Sequence, residues 1–134
     1  MNNIYYIKTP YEAILKAEDD GEVIKKLTLQ EHACMGCLNA AMSPLGYRLK
    51  KELTEYFDGE RKVFDIPVDP FVLERAGDIY AVPYGETAEK AENIEPEVLV
   101  LVPYHRILNG NMCSGDEQLE KLFISLREHE KANL

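Results

Sequence analysis

The stretch Val98-Leu99-Val100-Leu101-Val102-Pro103-Tyr104-His105-Arg106-Ile107 decides the fold. Its first five residues form an uninterrupted apolar run, and a run of that length suits a strand buried in a core. After Pro103 come a phenol, an imidazole and a guanidinium in succession, at Tyr104, His105 and Arg106. Towards the C-terminus, Leu119, Leu122, Phe123 and Leu126 recur at helical spacing, which predicts an amphipathic helix over 117–131. Towards the N-terminus, residues 88–93 have the length for a short helix only, and Val82-Pro83-Tyr84-Gly85 reads as a turn. A helix is expected over 71–81 with Phe71, Ala76, Ile79 and Tyr80 inward, although Gly77 weakens it by about 1 kcal/mol relative to Ala.

Further upstream, Lys62 to Pro70 alternates apolar with polar residues and holds two prolines, which suits an extended connection with a domain boundary near Asp69. Ser43-Pro44 supplies an N-cap and a first-turn proline for a helix over 44–57. Leu45, Leu49, Leu53 and Phe57 mark its inner face, Arg48, Lys50, Lys51, Glu52 and Glu55 its solvated one, and Gly59 its stop. Residues 3–8, 11–17 and 23–29 read as three strands, with Thr9-Pro10 and Asp19-Asp20-Gly21 as turns, so an antiparallel meander opens the chain.

At 134 residues the chain fits one ordinary domain or two small ones. Hydrophobic residues make up 46%, with seven Pro and eight Gly, enough to bury a core. Fifteen basic against 24 acidic residues leave a formal charge of -9, which opposes non-specific attraction to nucleic acid or anionic lipid. No run approaches the roughly 18–20 apolar residues of a membrane helix, and the first residues lack the pattern of a signal peptide, so no membrane association and a cytoplasmic location are expected. Three Cys, at 34, 37 and 113, are too few for a disulfide scaffold and read as reduced thiols.

Three segments in order resemble the O6-alkylguanine-DNA alkyltransferases, also called methylated-DNA–protein-cysteine methyltransferases. Residues 52–69, from Glu52-Leu53-Thr54-Glu55-Tyr56-Phe57 to Ile66-Pro67-Val68-Asp69, are similar to the end of that family's N-terminal domain and its linker. Pro70-Phe71 followed by Val82-Pro83-Tyr84-Gly85-Glu86-Thr87 keeps the family's spacing. Val98 to Ile107 looks like the apolar strand leading to its Pro-Cys-His-Arg motif. In that family the Cys accepts the alkyl group from guanine O6 as a thiolate activated through the neighbouring His and a Glu on the last helix, after the damaged base has been rotated out of the duplex.

Carried over by that resemblance, His105 and Arg106 match the motif and Glu130 matches the terminal-helix carboxylate. The acceptor position holds Tyr104, and a phenol with an ordinary pKa near 10 is a poor substitute for a thiolate, so alkyl transfer there is expected to be absent. The resemblance then implies an alkyltransferase-like protein of DNA repair that binds alkylated guanine in DNA without repairing it. Tyr104, His105, Arg106 and Glu130 mark the remnant pocket, and Tyr84 and Tyr104 are the ligand-binding candidates, or a packed pair where the two halves meet. The family also reads DNA with a helix-turn-helix between the Tyr-Gly-Glu-Thr-like turn and the motif. Here residues 88–102 supply fifteen positions, five of them in the apolar run, whereas two helices and a turn need about 20 or more. What remains carries Glu89, Glu92, Glu95 and Glu97, so the alternative is an acidic protein-interaction module, with an unidentified protein partner or as a homodimer, that has lost DNA binding.

No organic cofactor is expected. His32, Cys34 and Cys37 form half a zinc site, with Cys113 or His129 as fourth ligand, which would make a small metal-binding protein. The preferred reading is that Ala33, Cys34, Met35, Cys37 and Leu38 fill an apolar pocket. Cys113, in a Gly/Asn/Ser loop, is read as a surface or pocket thiol in preference to a displaced acceptor. The fold class expected is α/β (α+β): residues 1–68 as a small antiparallel sheet with one helix, resembling the family's ribonuclease-H-like N-terminal domain, and residues 69–134 as a truncated winged-helix-like C-terminal domain.

Overall fold

A computed structural model of the protein describes residues 2–11, 13–30, 41–89, 93–94, 96–108, 111–112 and 117–133. Strands β1 (Asn3–Lys8), β2 (Ile14–Asp19) and β3 (Ile24–Gln30) form an antiparallel sheet in that order. Tyr5 pairs with Ala17 and Ala17 with Leu27, so the inward row of each strand meets the next and Tyr5, Ala17 and Leu27 are all fully buried. The second strand begins later than its apolar pattern suggests, because Thr9 closes the turn by donating to Ala13 O from both N and Oγ1. Asp19, expected in the hairpin turn, is the last residue of β2 and is buried.

Helix α1 (Pro44–Phe57) starts where the capping residues place it: Ser43 Oγ accepts from Gly46 N at 3.0 Å. Gly46 is buried under the Tyr5 ring, which a Cβ would approach to 2.7 Å, so the sheet and α1 meet here at a distance only glycine allows. Leu49, Leu53 and Tyr56 are the fully buried residues of the helix, while Leu45 and Phe57 are half-buried. Glu52 departs from the solvated face expected of it. Its side chain is 4% exposed and takes hydrogen bonds from Asp65 N and Ile66 N at 2.7 and 3.1 Å, with Arg48 and Arg61 beside it. A carboxylate that caps two amides of the following linker is stable in the interior for the reason a free one is not.

Helix α2 (Pro70–Ala76) is shorter than the expected 71–81. Gly77, at φ +57 and ψ -124, takes the chain out of the α conformation, and a 3-10 turn, Gly77–Ala81, follows. The change of pitch alters which side chains face inward. Val72, Ala76 and Ile79 are buried, whereas Phe71 and Tyr80, expected inside, are 66% and 43% exposed.

The apolar run 98–102 is not a strand. Val98 makes a single parallel bridge to Leu27, and the chain then folds on itself through Leu101 N to Leu99 O at 2.7 Å and Val102 N to Val98 O at 3.3 Å. All five residues are nevertheless buried. Uninterrupted apolarity reports burial on every side, and burial is compatible with a compact turn as well as with a strand. Val100 sits at φ 67, a left-handed conformation unfavourable for a β-branched residue.

Residues 88–93, with the length for a short helix at most, are strand at their described positions. Ala88–Glu89 is β4 and Asn93–Ile94 is β5, which pair in parallel with β6 (Ile107–Leu108) and β7 (Asn111–Met112). The chain ends in α3 (Glu117–Ala132), with Leu119, Leu122, Phe123 and Leu126 inward as their spacing predicts. One buried cluster runs from Tyr5 and Leu15 in the sheet through Leu53 and Tyr56 to Tyr104 and Leu126. None of the described helices is long and apolar enough to cross a membrane.

Candidate functional site

Helix α3 carries Glu130, a carboxylate only 1% exposed, to a point where three other segments converge. From α1, Tyr56 donates its hydroxyl to Glu130 Oε2 at 2.6 Å. The turn after Pro83 contributes the Gly85 amide, 3.0 Å from Oε1. The 3-10 turn Tyr104–Arg106 brings two side chains. Arg106 places Nε 2.7 Å from Oε1 and Nη2 3.0 Å from Oε2, the two-pronged geometry in which Arg and carboxylate bind most strongly. His105, fully buried, turns Nε2 to Oε2.

Burial alone would raise the Glu130 pKa, but the bonds and charge from His105 and Arg106, with the Tyr56 hydroxyl, outweigh it and hold the carboxyl far below the ordinary range. The same site pushes the Tyr56 phenol well up, through burial first and then the Glu130 charge. Burial is also the largest influence on His105 and lowers its pKa despite Glu130. The imidazole is therefore neutral, and since an ionised carboxylate only accepts, the ring proton sits on Nε2. That leaves Nδ1 as a bare acceptor, buried and without a hydrogen-bond partner among the described residues.

A pH dependence follows from this neutral imidazole. Below about pH 6.5 the unfolded chain binds a proton at His105 that the folded chain does not, so stability falls as pH falls through that value, by at most about 1.4 kcal/mol per pH unit. His105→Gln keeps an N–H for Glu130 and removes the titration. Urea midpoints measured from pH 7 to pH 5 are expected to decline less in this variant than in the natural protein, His32 and His129 being common to both. Parallel declines would contradict the assignment.

Of the residues singled out from sequence, His105, Arg106 and Glu130 are brought together and Tyr84 lies beside them. The Tyr84 ring has Lys62 Nζ and Arg106 Cζ each 5.4 Å from its centroid and packs edge-on to Tyr56, while its buried hydroxyl has no partner among the described residues. Tyr104 points elsewhere. Its ring is 2% exposed and its hydroxyl accepts from the Glu97 amide at 3.4 Å, closing the buried turn that precedes it. Burial raises its pKa, so the phenol is protonated at neutral pH. His32, Cys34, Cys37 and Cys113 lie outside the described residues. His129 turns Nε2 to Tyr56 O at 2.7 Å.

Two partners of Glu130 were not foreseen from sequence. Tyr56 follows Leu49 and Leu53 at helical spacing, and a tyrosine on a buried helix face needs somewhere to place its hydroxyl, which was the available signal. Gly85 acts through its backbone and leaves none.

No protein-family model and no curated protein sequence matches the chain. Solved structures do. The crystal structure of Mycobacterium tuberculosis O6-methylguanine methyltransferase superposes with a TM-score of 0.73 at 20% identity, over 100% of this chain and 95% of that one. The fold is that of the O6-methylguanine methyltransferases. A crystal structure of the M. tuberculosis protein in complex with DNA aligns with a TM-score of 0.64 at 20% identity, over 97% of this chain and 93% of that one. The mixed α/β class and the alkyltransferase resemblance read from residues 52–69, 82–87 and 98–107 therefore hold at the level of the fold.

Proposed function

We propose that this protein serves DNA repair by recognising alkylated guanine in DNA without removing the alkyl group. One observation carries the reading: a buried imidazole, oriented by a buried carboxylate, has its second ring nitrogen without a partner among the described residues, beside a residue that cannot become a thiolate. A buried acceptor without a donor is unfavourable, by roughly 1–3 kcal/mol, and calls for an explanation. In the resembling family the neighbouring His takes part in activating the acceptor Cys. Here the phenol of Tyr104 is turned to Glu97, and an intact Glu130–His105–Arg106 arrangement stands behind it. Residues 1–68 and 69–134 are taken as counterparts of that family's two domains.

A second reading has its own support. Among the described residues between Thr87 and Pro103 there is no helix, only β4, β5 and the buried turn, so the element with which the family enters DNA has no counterpart among them. This favours an acidic interaction module, whose partner would cover exposed apolar residues such as Val63 and Phe71. A mobility-shift titration separates the two. Duplex containing O6-methylguanine should be retarded at micromolar protein in low salt and more strongly than the unmodified duplex. Failure to retard either duplex would remove the leading reading and leave the module.

A further inference from the structure

A cavity of about 290 Å³ lies between the linker residues Lys62 to Phe64 and the turn holding Pro83 and Tyr84. That volume is at the small end of ligand pockets, roughly 300–1,000 Å³, and suits a single fused-ring molecule. Its lining is aromatic and aliphatic, with Phe64, Tyr80, Tyr84, Val100 and Leu101 among its residues. The lining includes two bases, Lys62 and Arg106, and no acid. In a chain with 24 acids against 15 bases, a cavity with that balance selects for negative charge.

The two bases differ in availability. Arg106 is committed to Glu130 and to Val82 O, so its charge is compensated. Lys62 is exposed and has no carboxylate partner among the described residues; its ammonium rests over the Tyr84 ring. A cation with only an aromatic face beside it retains the capacity to take an anion at the cavity mouth. Val100, in its left-handed conformation, also lines the cavity, and backbone strain of this kind concentrates at binding sites.

We propose that this cavity binds a small aromatic carboxylate, the ring system held among Phe64, Tyr80 and Tyr84 and the carboxylate at Lys62. Tyr104 and His105 do not line it, whereas Pro103, Arg106 and Tyr84 do, so the cavity adjoins the motif without including the acceptor position. The probe is 2-naphthoate, followed by amide chemical shifts in the whole protein without DNA, with neutral 2-naphthamide as control. Naphthoate is expected to give saturable shifts around Tyr84 and Val100 with a Kd of about 1 mM or tighter. The amide should bind about fivefold more weakly, and Lys62→Gln should weaken naphthoate by a similar factor. Val63→Trp, at a site 72% exposed and thus tolerant of substitution, should obstruct entry and abolish the shifts. No saturable shift by about 10 mM naphthoate, equal binding of acid and amide, or an unchanged Kd in Lys62→Gln would each overturn the proposal. Because the titration contains no DNA, its failure is distinguishable from failure of DNA binding.

Discussion

Glu130→Ala is expected to lower the free energy of unfolding by about 3–5 kcal/mol, the cost of removing one partner from a buried ion pair. The substitution abolishes the only carboxylate bonded to Arg106 among the described residues, leaving a guanidinium that is 11% exposed with Val82 O as its remaining bonded partner. It also strands the Tyr56 hydroxyl, the His105 Nε2–H and the Gly85 amide. Relief of the carboxylate's own desolvation acts in the opposite direction. It is the smaller effect, because the arginine charge stays inside. Glu130→Gln keeps the volume and one accepting oxygen, and its loss should be roughly half as large. Against the 5–15 kcal/mol typical of a whole domain, the alanine variant should unfold at markedly lower urea. A change under about 1 kcal/mol at pH 7 would contradict the role of Glu130 as the junction of α1, α3 and the motif.

The second large effect is at the N-terminal end of α1, where Ser43 meets Asp19. Asp19 is fully buried and accepts from Tyr5 OH at 2.6 Å, Ser43 Oγ at 2.7 Å, and Asn3 Nδ2 and Gly21 N at 2.9 Å each. Burial pushes its pKa up, but these four donors outweigh burial and hold it below the usual carboxylate value. Asp19→Ala should cost about 2–4 kcal/mol, chiefly because the buried Tyr5 hydroxyl loses its acceptor while the other donors are nearer to water. Since the folded pKa is depressed, the contribution of Asp19 is complete above about pH 4 and disappears as pH falls through the folded value. The stability deficit of Asp19→Ala, read from urea midpoints, should therefore narrow below pH 4. A deficit under 1 kcal/mol at pH 7 would contradict this.

What sequence disclosed, and what it withheld, follows one physical distinction. Capping and apolar spacing were reliable for the two long helices: Ser43-Pro44 opens α1, and the 119, 122, 123, 126 spacing defines α3. Long-range pairing was not. The run 98–102 was correctly placed inside the protein but given the wrong backbone, because apolarity specifies burial and leaves the backbone path to its neighbours. Glu52 and Asp19 looked solvated because a carboxylate is ordinarily outside; what brings each inside is a set of donors distant in sequence, Ile66 for one and Ser43 for the other. The site divides in the same way. His105 and Arg106 were legible as adjacent letters and Glu130 through resemblance, whereas the orientation of Tyr104 depends on the Glu97 amide donating to its hydroxyl across a turn that no spacing rule foretells.

Recognition without transfer is tested most directly by incubating the protein with a duplex whose O6-methylguanine carries a radiolabelled methyl group, then separating protein from DNA under denaturing conditions. A phenol that is buried and protonated offers no nucleophile to the methyl carbon, so all label should remain on the DNA over a time in which a thiolate acceptor would be exhausted. Stoichiometric label on the protein would contradict the account, and its position in the chain would name the acceptor.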